Sequence, residues 1–197
     1  IFGNWGQLAL SYRRGRAWPD ADLFPDSLDT GNVNLLFEVD TLDSTAFPGD
    51  GSRIVMSNQW NRESFGAEVE SNRVALDALT FFSRGANTFG LWGTAAGIYD
   101  EDRSLLSPLL TAGGFLNFSG YDNDTLSGRR LALLRTLYYR RLAGRSLGNA
   151  IDVPLYAGGS LEFGGVWPDS DAVSFGDTIF AGSVFVGSAF TYDYNGD

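Results

Sequence analysis

The chain has no cysteine, no histidine and no lysine in its 197 residues. Without cysteine there is no disulfide framework, no zinc knuckle and no thiol nucleophile. Without histidine the usual general base, metal ligand and pH switch are missing, and a Ser-His-Asp hydrolase cannot be assembled. The cations, 14 in all and all arginine, face 24 carboxylates for a net charge of −10. That balance makes nucleic acid a poor partner, since phosphate binding needs a basic surface. No apolar run approaches the 18 or so residues of a membrane-spanning helix. Charged residues are scarce too, at 19% against the roughly 25% of ordinary soluble domains.

What is abundant points one way. Hydrophobic residues make up 44%, aromatics 14%, and there are 25 glycines. Glycine and aromatic residues together suit many strands and turns rather than a helical bundle. Apolar and polar residues alternate along most of the chain, the signature of a strand with two unlike faces. Val33, Leu35, Phe37 and Val39 share one face; Asn32, Asn34, Glu38 and Asp40 share the other, with Leu36 out of step. Ile54, Met56 and Trp60 oppose Arg53, Ser57 and Gln59. Val74, Leu76, Ala78 and Phe82 oppose Arg73, Asp77 and Ser83. The pattern continues through Leu8, Leu10 and Tyr12; through Phe89, Leu91 and Tyr99; and through Leu155, Leu161, Phe163 and Trp167. It closes with Phe180, Val184, Val186 and Phe190. Between Arg130 and Arg140 the apolar set is Leu131, Leu133, Leu137 and Tyr139, and Arg135 interrupts it. This Leu- and Arg-rich stretch resembles a helix, but Tyr138-Tyr139 and the flanking Gly128 and Gly144 favour a strand.

These segments predict about eight strands of roughly 9–14 residues, long enough to cross a bilayer at a tilt. Tight connectors such as Ser83 to Asn87 alternate with long acidic ones: Trp18 to Gly31, Asp100 to Ser127 and Pro168 to Gly176. Alternation by itself does not separate a soluble β-barrel, apolar inside, from a membrane barrel, apolar outside. Strand length favours the membrane, because soluble strands average about 5–6 residues. Trp5, Tyr12, Trp60, Tyr99, Tyr139 and Trp167 near strand ends would form its interfacial girdle. Glu38, Asp40, Arg53, Arg73, Asp77 and Glu162 would line a polar lumen. A solute channel and a soluble all-β binding domain remain the competing expectations.

Residues 113–142 contain Gly-Gly-Phe-Leu-Asn-Phe-Ser-Gly-Tyr, then Leu126-Ser127-Gly128 and Leu137-Tyr138-Tyr139-Arg140-Arg141-Leu142. This resembles the inward-folding loop and following strand of the bacterial surface-antigen barrels, in particular the C-terminal barrel of patatin-like phospholipase autotransporters. Asp40-Thr41-Leu42-Asp43 with Phe47-Pro48 and Gly51 is similar to a hairpin of that superfamily, and Leu161 to Trp167 to one of its strands. The resemblance implies an all-β, antiparallel transmembrane β-barrel of sixteen strands, of which residues 1–197 hold about eight in a single domain. Both ends read as strand or turn, so the chain is expected to be a fragment, lacking an N-terminal passenger lipase and the last strands.

It implies a bacterial outer-membrane translocator or anchor that needs no cofactor. Its partners would be the bilayer and lipopolysaccharide, the outer-membrane assembly machinery and its own passenger, with homodimerisation left open. Phe118, Ser119, Gly120 and Tyr121 would be the lumenal loop motif, and Glu162 and Gly164 its partners on the wall. The superfamily has arginine where this chain has Ser119, so a Ser–Glu hydrogen bond would replace a bidentate ion pair, unless Glu162 meets another arginine. No Gly-x-Ser-x-Gly occurs, so no catalytic residue is carried over. Asp122-Asn123-Asp124 and Asp169-Ser170-Asp171 lack the spacing of a calcium loop and read as solvated charge.

Overall fold

The computed structural model describes residues 5–17, 27–99, 109–146 and 152–188. The alternating segments all become strands: β1 (Gly6–Ala17), β2 (Leu28–Asp40), β3 (Gly51–Asn61), β4 (Ser71–Arg84) and β5 (Asn87–Tyr99). After two short strands, β6 (Leu110–Ala112) and β7 (Leu126–Gly128), come β8 (Arg130–Ser146), β9 (Asp152–Trp167) and β10 (Ile179–Ser188). Eight strands form one antiparallel sheet in the order β1-β2-β3-β4-β5-β8-β9-β10, while β6 and β7 pair as a separate hairpin. The Leu- and Arg-rich stretch is strand, not helix. Phe190 and the acidic residues Asp20, Asp22 and Asp26 lie outside the described residues.

The meander has two unlike ends. Arg84 and Asn87 are joined by a two-residue turn with Gly85 at φ 64°, a left-handed position that glycine adopts without strain. At the opposite end β5 and β8 are joined by a long excursion containing the β6–β7 hairpin, and β9 and β10 by residues 168–178. Neither β1 nor β10 pairs with the other, so the sheet is open.

Register fixes which side chains share a face. One row runs Asp40, Arg53, Leu79, Trp92, Arg135 and Glu162 from β2 to β9, and the next runs Glu38, Val55, Asp77, Thr94, Leu133 and Gly164. The other face carries rows such as Phe37, Met56 and Leu76, all of them exposed.

The first face is the inner one, and buried residues collect there under two segments folded across it. From the long-loop end, Leu110, Ala112 and Phe118 pack against Ile98, Leu131 and Leu133. From the short-turn end, Phe47 stacks on Tyr156 with centroids 4.3 Å apart and meets Tyr139 edge-on at 5.6 Å. The Tyr139 hydroxyl donates to the Pro48 carbonyl. This corrects one expectation about facing. On the other strands the apolar set faces outward, but on β8 Leu131, Leu133, Leu137 and Tyr139 face inward with Arg135. The β5–β8 loop over Leu131 and Leu133, and Leu42 and Phe47 over Leu137 and Tyr139, supply the apolar cover that makes that inversion favourable.

Candidate functional site

The inner face of the sheet divides lengthwise. Along β2–β4 it is polar, with Asn32, Asn34, Glu38, Gln59 and Arg73 in inward register positions. Arg53 pairs with Glu38 at 2.7 Å and approaches Asp40 at 3.5 Å. Along β5–β10 it is largely apolar around the buried polar residues Arg135 and Glu162, and it is covered by the loop between β5 and β8 and, at the short-turn end, by Phe47.

The tip of that loop is held by opposite charges. Glu162, 1% exposed, accepts from the Ser119 amide at 2.8 Å and the Ser119 hydroxyl at 2.6 Å. The Ser160 hydroxyl donates to the same carboxylate at 2.9 Å and lies 2.8 Å from the Ser183 hydroxyl. Ser119 Oγ also accepts from the Leu116 amide at 3.0 Å, which closes the turn. Leu116 and Phe118 both take left-handed backbone conformations, at φ 57° and 66°. Non-glycine residues adopt these only when the surroundings enforce it. Here the enforcement comes from Phe118, fully buried among Ile98, Leu131 and Leu133.

Arg135 grips the same turn from the other side. Its Nε donates to the Leu116 carbonyl, and its Nη1 to Thr94 Oγ1 at 2.8 Å. The guanidinium lies 4.2 Å above the Trp92 ring. The Thr94 hydroxyl in turn donates to Asp77 Oδ2 at 2.7 Å, and Trp92 Nε1 donates to the same oxygen at 2.7 Å. Asp77, Thr94, Trp92 and Arg135 therefore form one continuous network in which each side chain has a partner, the condition under which buried charge is tolerated. Donors fixed on a carboxylate and an acceptor fixed on a guanidinium are a fastening.

The residues singled out in the sequence fall as follows. Phe118, Ser119 and Glu162 meet. Gly120 (φ 98°) supplies the turn after Ser119, and Tyr121 stands beyond it, 41% exposed. Gly164 lies one inward position from Glu162. Trp60 and Tyr99 are outward at the long-loop end, flanking Asn72 in register. Tyr12 is exposed on β1, its hydroxyl bonded to the Phe65 carbonyl at 3.1 Å. Trp5 is exposed at the other end, where its carbonyl accepts from the Asp40 amide.

Two girdle candidates differ from expectation. Tyr139 stands on the inner face, 2% exposed, because its neighbour Tyr138 takes the outward position. Trp167 is outward but buried, its ring laid back over Gly165. Sequence reasoning missed the outward aromatic cluster at the short-turn end, Phe82, Phe89 and Tyr138, with successive ring centroids 5.4 and 5.2 Å apart. The alternation of Phe82 and Phe89 with their polar neighbours was the available signal. Among the described residues no cluster of potential metal ligands occurs.

In comparison with known proteins, the chain matches no family model, and no curated protein is similar to it at a significant level.

Proposed function

We propose that this chain is a section of a bacterial outer-membrane β-barrel that serves as translocator or anchor. The carrying observation is the contrast between the two faces of the sheet. Outward rows remain apolar and exposed, including Leu10 at 73%, Leu161 at 72% and Val184 at 91%. In water such a continuous surface invites association; in lipid it is the ordinary barrel exterior. Aromatic residues bound it: Phe82, Phe89 and Tyr138 at one end, Trp60 and Tyr99 at the other. Phe89 and Tyr99 stand ten residues apart on β5. At about 3.3 Å per residue and a tilt of about 40°, that distance matches the roughly 25 Å apolar band of outer-membrane barrels. The open edges of β1 and β10 would be closed by further strands, since unpaired backbone is not tolerated in hydrocarbon.

Within that class, the resemblance of residues 113–142 supports a surface-antigen-type barrel of a patatin-like phospholipase autotransporter. Its work is physical: to hold or deliver an N-terminal lipase domain, with no chemistry of its own. The inner face favours this over a freely conducting pore. The loop fills the β5–β10 side and leaves the polar β2–β4 wall to line a passage.

The test is expression with native flanks, followed by cell fractionation, detergent extraction and electrophoresis with and without heating. Detergent-dependent, heat-modifiable material in the outer membrane is the expected result. A monomer soluble without detergent would overturn the proposal.

A further inference from the structure

We propose that the inner face holds a binding site for an amphiphilic organic cation, an aromatic body bearing one ammonium group. The site lies between the two segments that fold across that face from opposite ends. It belongs to the inner side of the sheet, so it goes beyond the reading above and does not depend on what covers the outer side. Between the hairpin residues Leu42 to Pro48 and the turn at Phe115 and Leu116 lies a cavity of about 520 Å3. A volume of this size falls within the roughly 300–1,000 Å3 of small-molecule sites. Its walls on the sheet are Phe81 of β4, Trp92 of β5, Leu137 and Tyr139 of β8, and Phe185 of β10. Phe185 links the two segments, its ring centroid 5.7 Å from that of Phe115, edge-on, and 6.5 Å from that of Phe47.

Both segments are fastened, so the cavity is preformed. The Ser83 hydroxyl donates to the Gly49 carbonyl at 2.6 Å, and the Gly49 amide donates to Asp43 Oδ1 at 2.7 Å. Tyr139 holds Pro48, and Arg135 holds Leu116. Fixed walls spare a ligand the cost of ordering them. Water is poorly held against walls of this kind, and the Phe115 ring, 62% exposed, offers further apolar surface beside them. An aromatic body displaces that water and packs edge-on or offset against the rings.

Apolar walls alone would take any oily body; the rim narrows the choice. Asp40 and Arg53 line the cavity on its β2–β3 side. The Asp40 side chain is 41% exposed, its Oδ2 standing 3.5 Å from Arg53 Nε while Oδ1 accepts from the Leu42 amide at 2.9 Å. Arg53 is turned more closely to Glu38, at 2.7 and 2.8 Å. A carboxylate has about four acceptor sites, more than one amide and one distant guanidinium use. Two carboxylates here share one guanidinium, so the rim carries an excess negative charge. Arg135, 4.2 Å above the Trp92 ring, is itself offset by Asp77 and Glu162. An ammonium group on Asp40 balances the rim while its body fills the cavity; an anion of the same shape would meet repulsion.

The experiment reconstitutes the full chain with native flanks into phosphatidylcholine vesicles and titrates it calorimetrically, with the heat of empty vesicles subtracted. Three probes share one aromatic body: naphthylethylammonium, naphthylethanol and naphthylacetate. The ammonium is expected to bind at least about tenfold more tightly than the alcohol, the effect of one hydrogen bond to a charged group, and the carboxylate most weakly. Asp40→Asn keeps an acceptor for the Leu42 amide and should make the ammonium and the alcohol equal. Phe115→Ala removes an exposed ring and no core residue, so it should weaken both probes and leave their ratio unchanged. No heat above that of empty vesicles, equal binding of ammonium and alcohol by the unaltered chain, or a preference that survives Asp40→Asn would overturn the site. Affinities that Phe115→Ala leaves unchanged would overturn its placement in this cavity. A chain soluble without detergent overturns the membrane reading only, and the same titration in buffer then decides the site.

Discussion

Arg135 and Glu162 are direct cross-strand partners on β8 and β9, and the turn at residues 116–119 presents its carbonyl to the cation and its N–H and O–H to the anion. Each charge is almost fully buried, Arg135 4% and Glu162 1% exposed. Removing the loop would take both Ser119 donors from Glu162 and the Leu116 carbonyl from Arg135, leaving them Ser160 and Thr94. Loop closure and charge burial are therefore one event. The inward loop is a part of the wall's electrostatics as well as a cover for its apolar half.

Ser119→Ala tests the anionic side of this fastening. The substitution removes the 2.6 Å hydroxyl bond and the acceptor for the Leu116 amide, but leaves the amide bond and Ser160 on Glu162. Hydrogen bonds to charged groups contribute about 1.5–3 kcal/mol. Hydrogen exchange of the amides in residues 113–124 should then accelerate about 10-fold or more, while those of β8 and β9 stay protected. Unchanged exchange would mean that Phe118 packing alone holds the loop.

The two grips should also be coupled. Arg135→Met keeps an unbranched apolar stem but removes the donors to Leu116 and Thr94 and the cation over Trp92. Since both side chains hold one four-residue turn, loosening either spends part of the same closure energy. A double-mutant cycle of Ser119→Ala and Arg135→Met, read by denaturant unfolding, should give an interaction of about 0.5–3 kcal/mol. Strict additivity would show two independent contacts.

How much of this was legible in advance follows from what alternation encodes. A period of two reveals that a strand has an apolar face; it does not reveal what covers that face. For β2, β3 and β4 polar inward residues make the assignment unambiguous. On β8 both faces hold leucines, and only the distant Leu110 and Phe118 decide that Leu131 and Leu133 point inward. Arg135 looked like a flaw in an apolar stripe because its partners, Thr94, Trp92 and Leu116, lie 19–43 positions away in sequence. The meeting of Ser119 with Glu162, 43 residues apart, was accessible only through resemblance. Tyr138 and Tyr139 are adjacent and identical in type, so composition could not tell which faced out.

Gly164 carries a packing constraint that its neighbour Glu162 conceals. A Cβ there would lie 2.0 Å from the Ala132 carbonyl oxygen and 2.8 Å from Leu133 Cα. Both are backbone, so relief requires β8 and β9 to separate beside the carboxylate. Gly164→Ala should lower stability by about 1–3 kcal/mol, the usual effect of overpacking. It should also loosen the loop, seen as faster proteolysis between residues 113 and 124. Gly93→Ala, with room for its methyl, is the control and should change neither. Equal stability of the two variants would refute the constraint.

Met56 offers the sharpest discrimination between lipid and water outside the sheet. It lies at mid-length on β3, 49% exposed, between Phe37 and Leu76 in register. Nothing inside the sheet depends on it, so in a soluble protein Met56→Arg should change stability by no more than about 0.5 kcal/mol. In a barrel the same arginine would stand near the bilayer midplane, where it costs about 2–4 kcal/mol. Urea unfolding of the chain reconstituted with native flanks into vesicles measures the difference directly. A loss in that range is expected. The same substitution at Trp60, four residues nearer the rim, should cost less, because the cost of a charge falls toward the interface. Equal and negligible losses at both positions would place water, not lipid, against this face.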